Sequence, residues 1–150
     1  MKRKLFVCAL AIAAVTAQDK KFPELKRQPN AAAVVKEHLA AINACDWNRL
    51  MAQYPADVEI FYPDGVHAKG RAAVGEKFAQ AVKPFSQGGV CGLKFTVEAT
   101  QVVGDTLNMQ WRAEAPFLAE PYRGADAYET KNGLMQAQVT TFKISDIKPK

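Results

Sequence analysis

The stretch HLAAINACDWNRLMAQYPADVEIFYPDG, residues 38–65, decides the fold. Read outward, it is helix, helix, strand and turn in quick succession. Upstream, Asn30 is placed to cap a helix over AAAVVKEHLAAINA, where Val35, His38, Leu39 and Ile42 recur at helical spacing and define one buried face. Asp46 can cap a second short helix, WNRLMAQY, with Trp47, Leu50, Met51 and Tyr54 on its apolar side and Pro55 as its stop. VEIFY alternates as a strand, and Pro63-Asp64-Gly65 is turn chemistry, because Pro sets φ while Asp and Gly tolerate unusual angles. Downstream, Gly70 precedes an amphipathic third helix, RAAVGEKFAQAVKPF, built on Val74, Phe78, Ala81 and Val82 and ending near Pro84.

The remainder is strand-like. LKFTVEA carries Leu93, Phe95 and Val97 on one face, and Gly104-Asp105 turns the chain. In LNMQWRAEA, Leu107, Met109 and Trp111 oppose Asn108, Gln110 and Arg112. PYRGADAYETK is a strand with a glycine kink, Asn132-Gly133 is a hairpin signal, and LMQAQVTTFKI is the last long strand. Helices at the front and hairpins at the back imply an α+β domain: three N-terminal helices packed on one curved antiparallel sheet, a conical α+β roll whose concavity is a natural small-molecule pocket.

The 150 residues, 49% hydrophobic and 23% charged, suffice for one domain with a real core. Residues 1–17 have the form of a signal peptide. Lys2, Arg3 and Lys4 precede an apolar run of 11 residues from Leu5 to Val15, and Val15-Thr16-Ala17 offers a cleavage site. The run is too short to span a bilayer. Residues 18–29 then form a flexible leader, 30–146 the domain and 147–150 a tail. The expected location is secreted or periplasmic. Losing three cations and no acids takes the formal charge from +5 to +2, which removes any electrostatic reason to bind nucleic acid; no membrane association is expected after signal removal. Cys8 leaves with the signal. Cys45 and Cys91 either bridge in an oxidising compartment or remain two separate buried thiols. No metal is expected, since two distant His with no Cys/His spacing make no site, and no cofactor motif is present.

The order of elements resembles the nuclear transport factor 2-like superfamily, especially its SnoaL-like branch. The resemblance is carried by residues 38–65, by GRAAVGEKF at 70–78 and by DAYETKNGLMQAQVTTF at 126–142, together with their spacing. It implies a cone-shaped cavity that binds a small, mostly apolar or amphipathic molecule, and a homodimer formed through the sheet. Whether a reaction follows is open. Some members are ketosteroid isomerases, limonene-epoxide hydrolases or polyketide cyclases, and others have no assigned activity.

The residues at the corresponding places depart from the enzymes. Where the isomerases carry a base Asp, a helix tyrosine and a second acid, this chain has Tyr62, His38 and Thr140. Tyr62, with an ordinary pKa near 10, is a poor base. Trp111-Arg112-Ala113-Glu114 echoes the Arg-acid pair of the epoxide hydrolases, but its partner acid again falls at Thr140, and Arg112 with Glu114 fits an exposed strand pair. His38, Tyr62 and Thr140 are therefore the catalytic candidates, with His38 as acid/base; the alternatives are a satisfied core histidine and a core-filling tyrosine. Tyr54, Phe95, Met109, Trp111, Gln138 and Phe142 are the candidate ligand-binding residues. Gln136 shares a strand face with Gln138 and Thr140, which suits a pocket lining or a wet dimer face. His67 and Asp64 belong to the solvated turn. The third reading is an interaction module that assembles through its sheet.

Overall fold

The structure is a computed structural model, and it describes residues 21–150. The signal segment, Cys8 and the first three leader residues lie outside the described residues. Helix α1 spans Ala31–Asn43 and α2 spans Trp47–Met51. The predicted caps form: the Asn30 side chain accepts from the Ala33 N–H at 2.9 Å, and Asp46 accepts from the Arg49 N–H at 3.0 Å. Strands β1 (Glu59–Phe61) and β2 (His67–Lys69) flank the Pro-Asp-Gly turn, and α3 (Arg71–Ala81) follows Gly70. Four long strands complete the chain: β3 (Lys94–Val103), β4 (Thr106–Glu114), β5 (Tyr122–Lys131) and β6 (Leu134–Thr141).

The six strands form one sheet in the order β2-β1-β6-β5-β4-β3. All neighbours are antiparallel except β1 with β6, which run parallel, so the expected all-antiparallel sheet carries one exception. Asn132 and Gly133, at φ 52° and 74°, make the tight hairpin between β5 and β6. The helices cover one face of the sheet. Between the layers lie the fully buried Leu50, Met51, Val58, Ile60, Val74 and Met109. Burying a side chain of this kind is worth about 1.5–3 kcal/mol relative to leaving it exposed.

The described leader, residues 21–29, departs from the flexible segment expected. The described part of the leader is docked. The Phe22 ring stacks on Trp47 at 5.6 Å, the Lys26 N–H donates to Ala52 O at 2.8 Å, and the Gln28 N–H donates to Gly133 O at 2.9 Å. Arg71 donates to Pro23 O at 2.6 Å and lies over the Phe22 ring. Gly75 is what lets Phe22 approach, since a Cβ there would meet the ring at 2.7 Å. The tail is likewise held, by the Ala119 N–H to Lys148 O and the Lys150 N–H to Phe117 O. A polar, proline-containing leader looks mobile because its own side chains offer little to bury; here backbone hydrogen bonds and one aromatic ring anchor residues 22–28.

The cysteine question also resolves. Cys45 and Cys91 form a disulfide, their Cα atoms 5.6 Å apart and 46 residues apart in sequence. It joins the end of α1 to segment 82–93, which contains a 3-10 turn at Phe85–Gln87.

Candidate functional site

The cone encloses a cavity of about 460 Å³. Strand alternation supplies its wall. On β4, Leu107, Met109, Trp111 and Ala113 are buried, whereas Asn108, Gln110, Arg112 and Glu114 face outward. Trp111 meets Phe95, Tyr122 and Phe142 edge-on or nearly so, at centroid distances of 5.3–5.8 Å. Room for the indole comes from Gly124, its partner on β5; any Cβ there would strike the Trp111 ring. The glycine thus makes space rather than the expected kink.

Eight of the nine sequence-derived candidates line the cavity: His38, Tyr62, Thr140, Phe95, Met109, Trp111, Gln138 and Phe142. Tyr54 does not. It is fully buried behind His38 and Gln138 and acts on the cavity through them. Gln136 also leaves the expected face. A bulge between the Glu129 and Thr130 pairings turns Met135 into the core and sends the Gln136 amide to Asp57 O at 3.3 Å. Val97 pairs with Trp111 but stays 40% exposed, because β3 is an edge strand and bulges beside it.

The floor is a run of hydrogen bonds. His38 Nδ1 lies 3.0 Å from the Tyr54 hydroxyl. Tyr54 donates to Gln138 Oε1 at 3.3 Å, and Gln138 Nε2 donates to Thr140 Oγ1 at 3.0 Å. Thr140 stands opposite Asp126 across β6 and β5. The Tyr128 hydroxyl donates to Asp126 Oδ2 at 2.6 Å. Asp126 and Tyr128 were missed by sequence reasoning. The available signal was alternation: Tyr122, Asp126, Tyr128 and Thr130 share the buried face of β5.

Burial dominates the electrostatics. It lowers the His38 pKa to about 4, so the imidazole is neutral at pH 7, has no spare proton to give and is a weak base. Both readings of His38 meet here: it is a satisfied, buried histidine and it lines the cavity. Burial raises the Asp126 carboxyl, against the lowering effect of Tyr128, Thr140 and Trp111. The Asp126 Oδ1 and Trp111 Nε1 atoms are both buried without a well-formed hydrogen bond. Burial also raises Tyr62 at the cavity mouth, which keeps its phenol protonated; its buried hydroxyl has no hydrogen-bond partner among the described residues. Among the described residues no Lys or Arg belongs to the lining, whose acids are Asp64 and Asp126.

Residues outside the cavity behave as the turn and strand patterns imply. His67 lies flat on Phe61 at 4.1 Å and 3.2 Å from Glu59. Arg112 pairs with Glu114 at 3.5 Å on the outer face. Among the described residues no group of three or more His, Cys, Asp or Glu is arranged to hold a metal.

Residues 35–138 match the SnoaL-like domain family. No curated protein matches the chain. Several solved structures share the fold. One is an uncharacterised cystatin-fold protein from Novosphingobium aromaticivorans, 16% identical, covering 77% of this chain and 100% of that one at a TM-score of 0.62. A candidate ketosteroid isomerase from Kribbella flavida is 17% identical over 80% of this chain and 82% of its own, TM-score 0.62. An epoxide hydrolase from M. tuberculosis, of the LEH-like type, is 14% identical over 78% and 85%, TM-score 0.60. At these identities the likeness is one of fold alone.

Proposed function

This chain belongs to the SnoaL-like domain family, and from that premise we propose that it is an exported protein that holds one small, neutral, apolar or amphipathic molecule in its cone. One observation carries the reading: a cavity of about 460 Å³ with aromatic walls, a hydrogen-bonded polar floor and no cationic lining. The walls contribute non-directional burial, while the floor selects and orients the ligand's polar end. An anionic ligand would meet no cation among the described lining residues and would face Asp126. Export is supported by the signal-like residues 1–17 and by the Cys45–Cys91 disulfide, a bond that persists in oxidising compartments. Assembly of two copies through the sheet is supported by Phe61 and Val139, paired neighbours on the outer face and each 44% exposed.

The test is native mass spectrometry of the protein purified from its own source. The expected result is a retained small molecule, released on denaturation, and a dimer mass. The binding reading fails if the protein carries nothing and its melting temperature does not move with any of a panel of apolar alcohols, ketones and lactones.

A second reading, a cofactor-independent lyase, isomerase or hydrolase, is favoured by one specific feature: a buried carboxyl with a raised pKa beside a cavity. Asp126 rather than His38 would then act as the proton-accepting base, its raised pKa making the carboxylate the stronger base of the two. Turnover of a ketone, epoxide or lactone that is lost in Asp126→Asn while binding persists would establish it; binding without turnover across all three classes would sink it.

A further inference from the structure

The hydrogen bonds of the floor have a direction, and that direction sets what the cavity offers a ligand. The Gln138 amide is oriented with Nε2 donating to Thr140 and Oε1 accepting from Tyr54. A tyrosine hydroxyl has one hydrogen. With that hydrogen on Gln138, the contact to His38 Nδ1 requires the imidazole to donate, so Nδ1 carries the proton. Nε2 is then the ring nitrogen left to the cavity that His38 lines, and it presents a lone pair.

The far end of the run explains why it points this way. Asp126 accepts from the Tyr128 hydroxyl on Oδ2 and stands opposite Thr140 across the β5–β6 pair, so its buried Oδ1 is the acceptor nearest in register to the Thr140 hydroxyl. If Thr140 spends its hydrogen on Asp126, its oxygen must accept from Gln138, and the remaining two links follow. Asp126 thereby acts on His38 through three intervening side chains.

We propose that this chain, anchored at Asp126, makes His38 Nε2 a hydrogen-bond acceptor, so that the cavity prefers neutral apolar molecules bearing a hydroxyl over carbonyl compounds of the same skeleton. The inference rests on the binding reading above and narrows it to a ligand class. His38 is the specificity-determining contact and Asp126 is its positioning residue. A carbonyl oxygen opposite Nε2 would set two acceptors against each other and leave the imidazole lone pair unsatisfied.

Two measurements test it. The first is long-range 1H–15N NMR of the His38 ring in the ligand-free protein. The expected state is Nδ1–H with unprotonated Nε2; an Nε2–H ring overturns the proposal. The second is calorimetry with borneol and camphor, which share a carbon skeleton and differ in hydroxyl against ketone. Borneol should bind about tenfold tighter, and equal binding or a camphor preference overturns the proposal. In Asp126→Asn the new amide donates to Thr140 and reverses the run, so His38 should move toward the Nε2–H form and the borneol preference should vanish; an unchanged tautomer overturns the role of Asp126. Should that variant fold poorly, Thr140→Val cuts the same link and should erase the bias. If neither terpenoid binds, the panel of apolar alcohols, ketones and lactones decides the pocket reading, and the tautomer alone decides this inference.

Discussion

The floor and the mouth of the cavity are built by different means. The floor comprises His38 on α1, Gln138 and Thr140 on β6, and Asp126 and Tyr128 on β5, with Tyr54 behind them. Each side chain hangs on a regular element, and the parts are joined by hydrogen bonds whose partners are far apart in sequence, such as Tyr54 and Gln138, 84 residues apart. The mouth is made by Tyr62 at a strand end and by segment 82–93, which has only a short 3-10 turn and lies against the cavity through Phe85, Val90 and Leu93. A covalent bond, Cys45–Cys91, ties that segment to α1. A polar site deep in the cone is held by many weak directional bonds, whereas the irregular apolar rim is held by a staple.

Breaking the staple gives the largest expected effect. Replacing both cysteines by serine frees a 46-residue separation in the unfolded chain and should cost about 4 kcal/mol, read by denaturant unfolding against wild type. It should also weaken any bound apolar ligand. A cost below about 1 kcal/mol would mean that packing alone holds the mouth, and the contrast would collapse.

The floor answers to pH. The His38 pKa is about 4 in the folded protein against an ordinary 6.5. As pH falls below 6.5 the unfolded imidazole binds a proton that the folded one refuses, so stability is full above 6.5 and is lost toward pH 4, by roughly 3 kcal/mol. Asp126 works in the opposite sense: raised above 3.8, it makes the folded state the better proton binder and costs stability as pH rises through that range. The difference between wild type and His38→Gln, measured across pH 4–7, isolates the histidine. A slope that is the same in both proteins would place His38 in contact with water.

Tyr54→Phe sharpens the view of the floor as a network. It strands His38 Nδ1 and Gln138 Oε1 together, and should cost about 2 kcal/mol in thermal or urea unfolding while leaving the cavity volume unchanged. A cost near zero would mean that the run is not continuous. The smallest effect is expected away from both regions. Phe22→Ala loses the stack on Trp47 and should lower stability by about 1 kcal/mol without altering ligand affinity.

Local chemistry carried much of the architecture. Asn30 and Asp46 cap because short polar side chains match free helix N–H groups, and Asn132-Gly133 turns because both residues tolerate positive φ. Alternation on β4 alone marks Met109 and Trp111 as wall residues. The bulge at Gln136 was not legible, because it depends on how β6 registers against β5, and one extra residue moves a side chain to the other face.

Asp126 marks the limit. A lone carboxyl in a strand has every reason to be solvated, and nothing in PYRGADAYETK says otherwise except the two tyrosines sharing its face. The elements, their order and the apolar side of each strand follow from periodicity and backbone preference within a few residues, so they are legible in the chain alone. The closing of the staple, the place of Tyr54 behind the cavity rather than in it, and the carboxyl opposite Thr140 emerge only from the assembled fold. The reason is physical: desolvation and hydrogen-bond direction are set by neighbours that the chain brings together from tens of residues away.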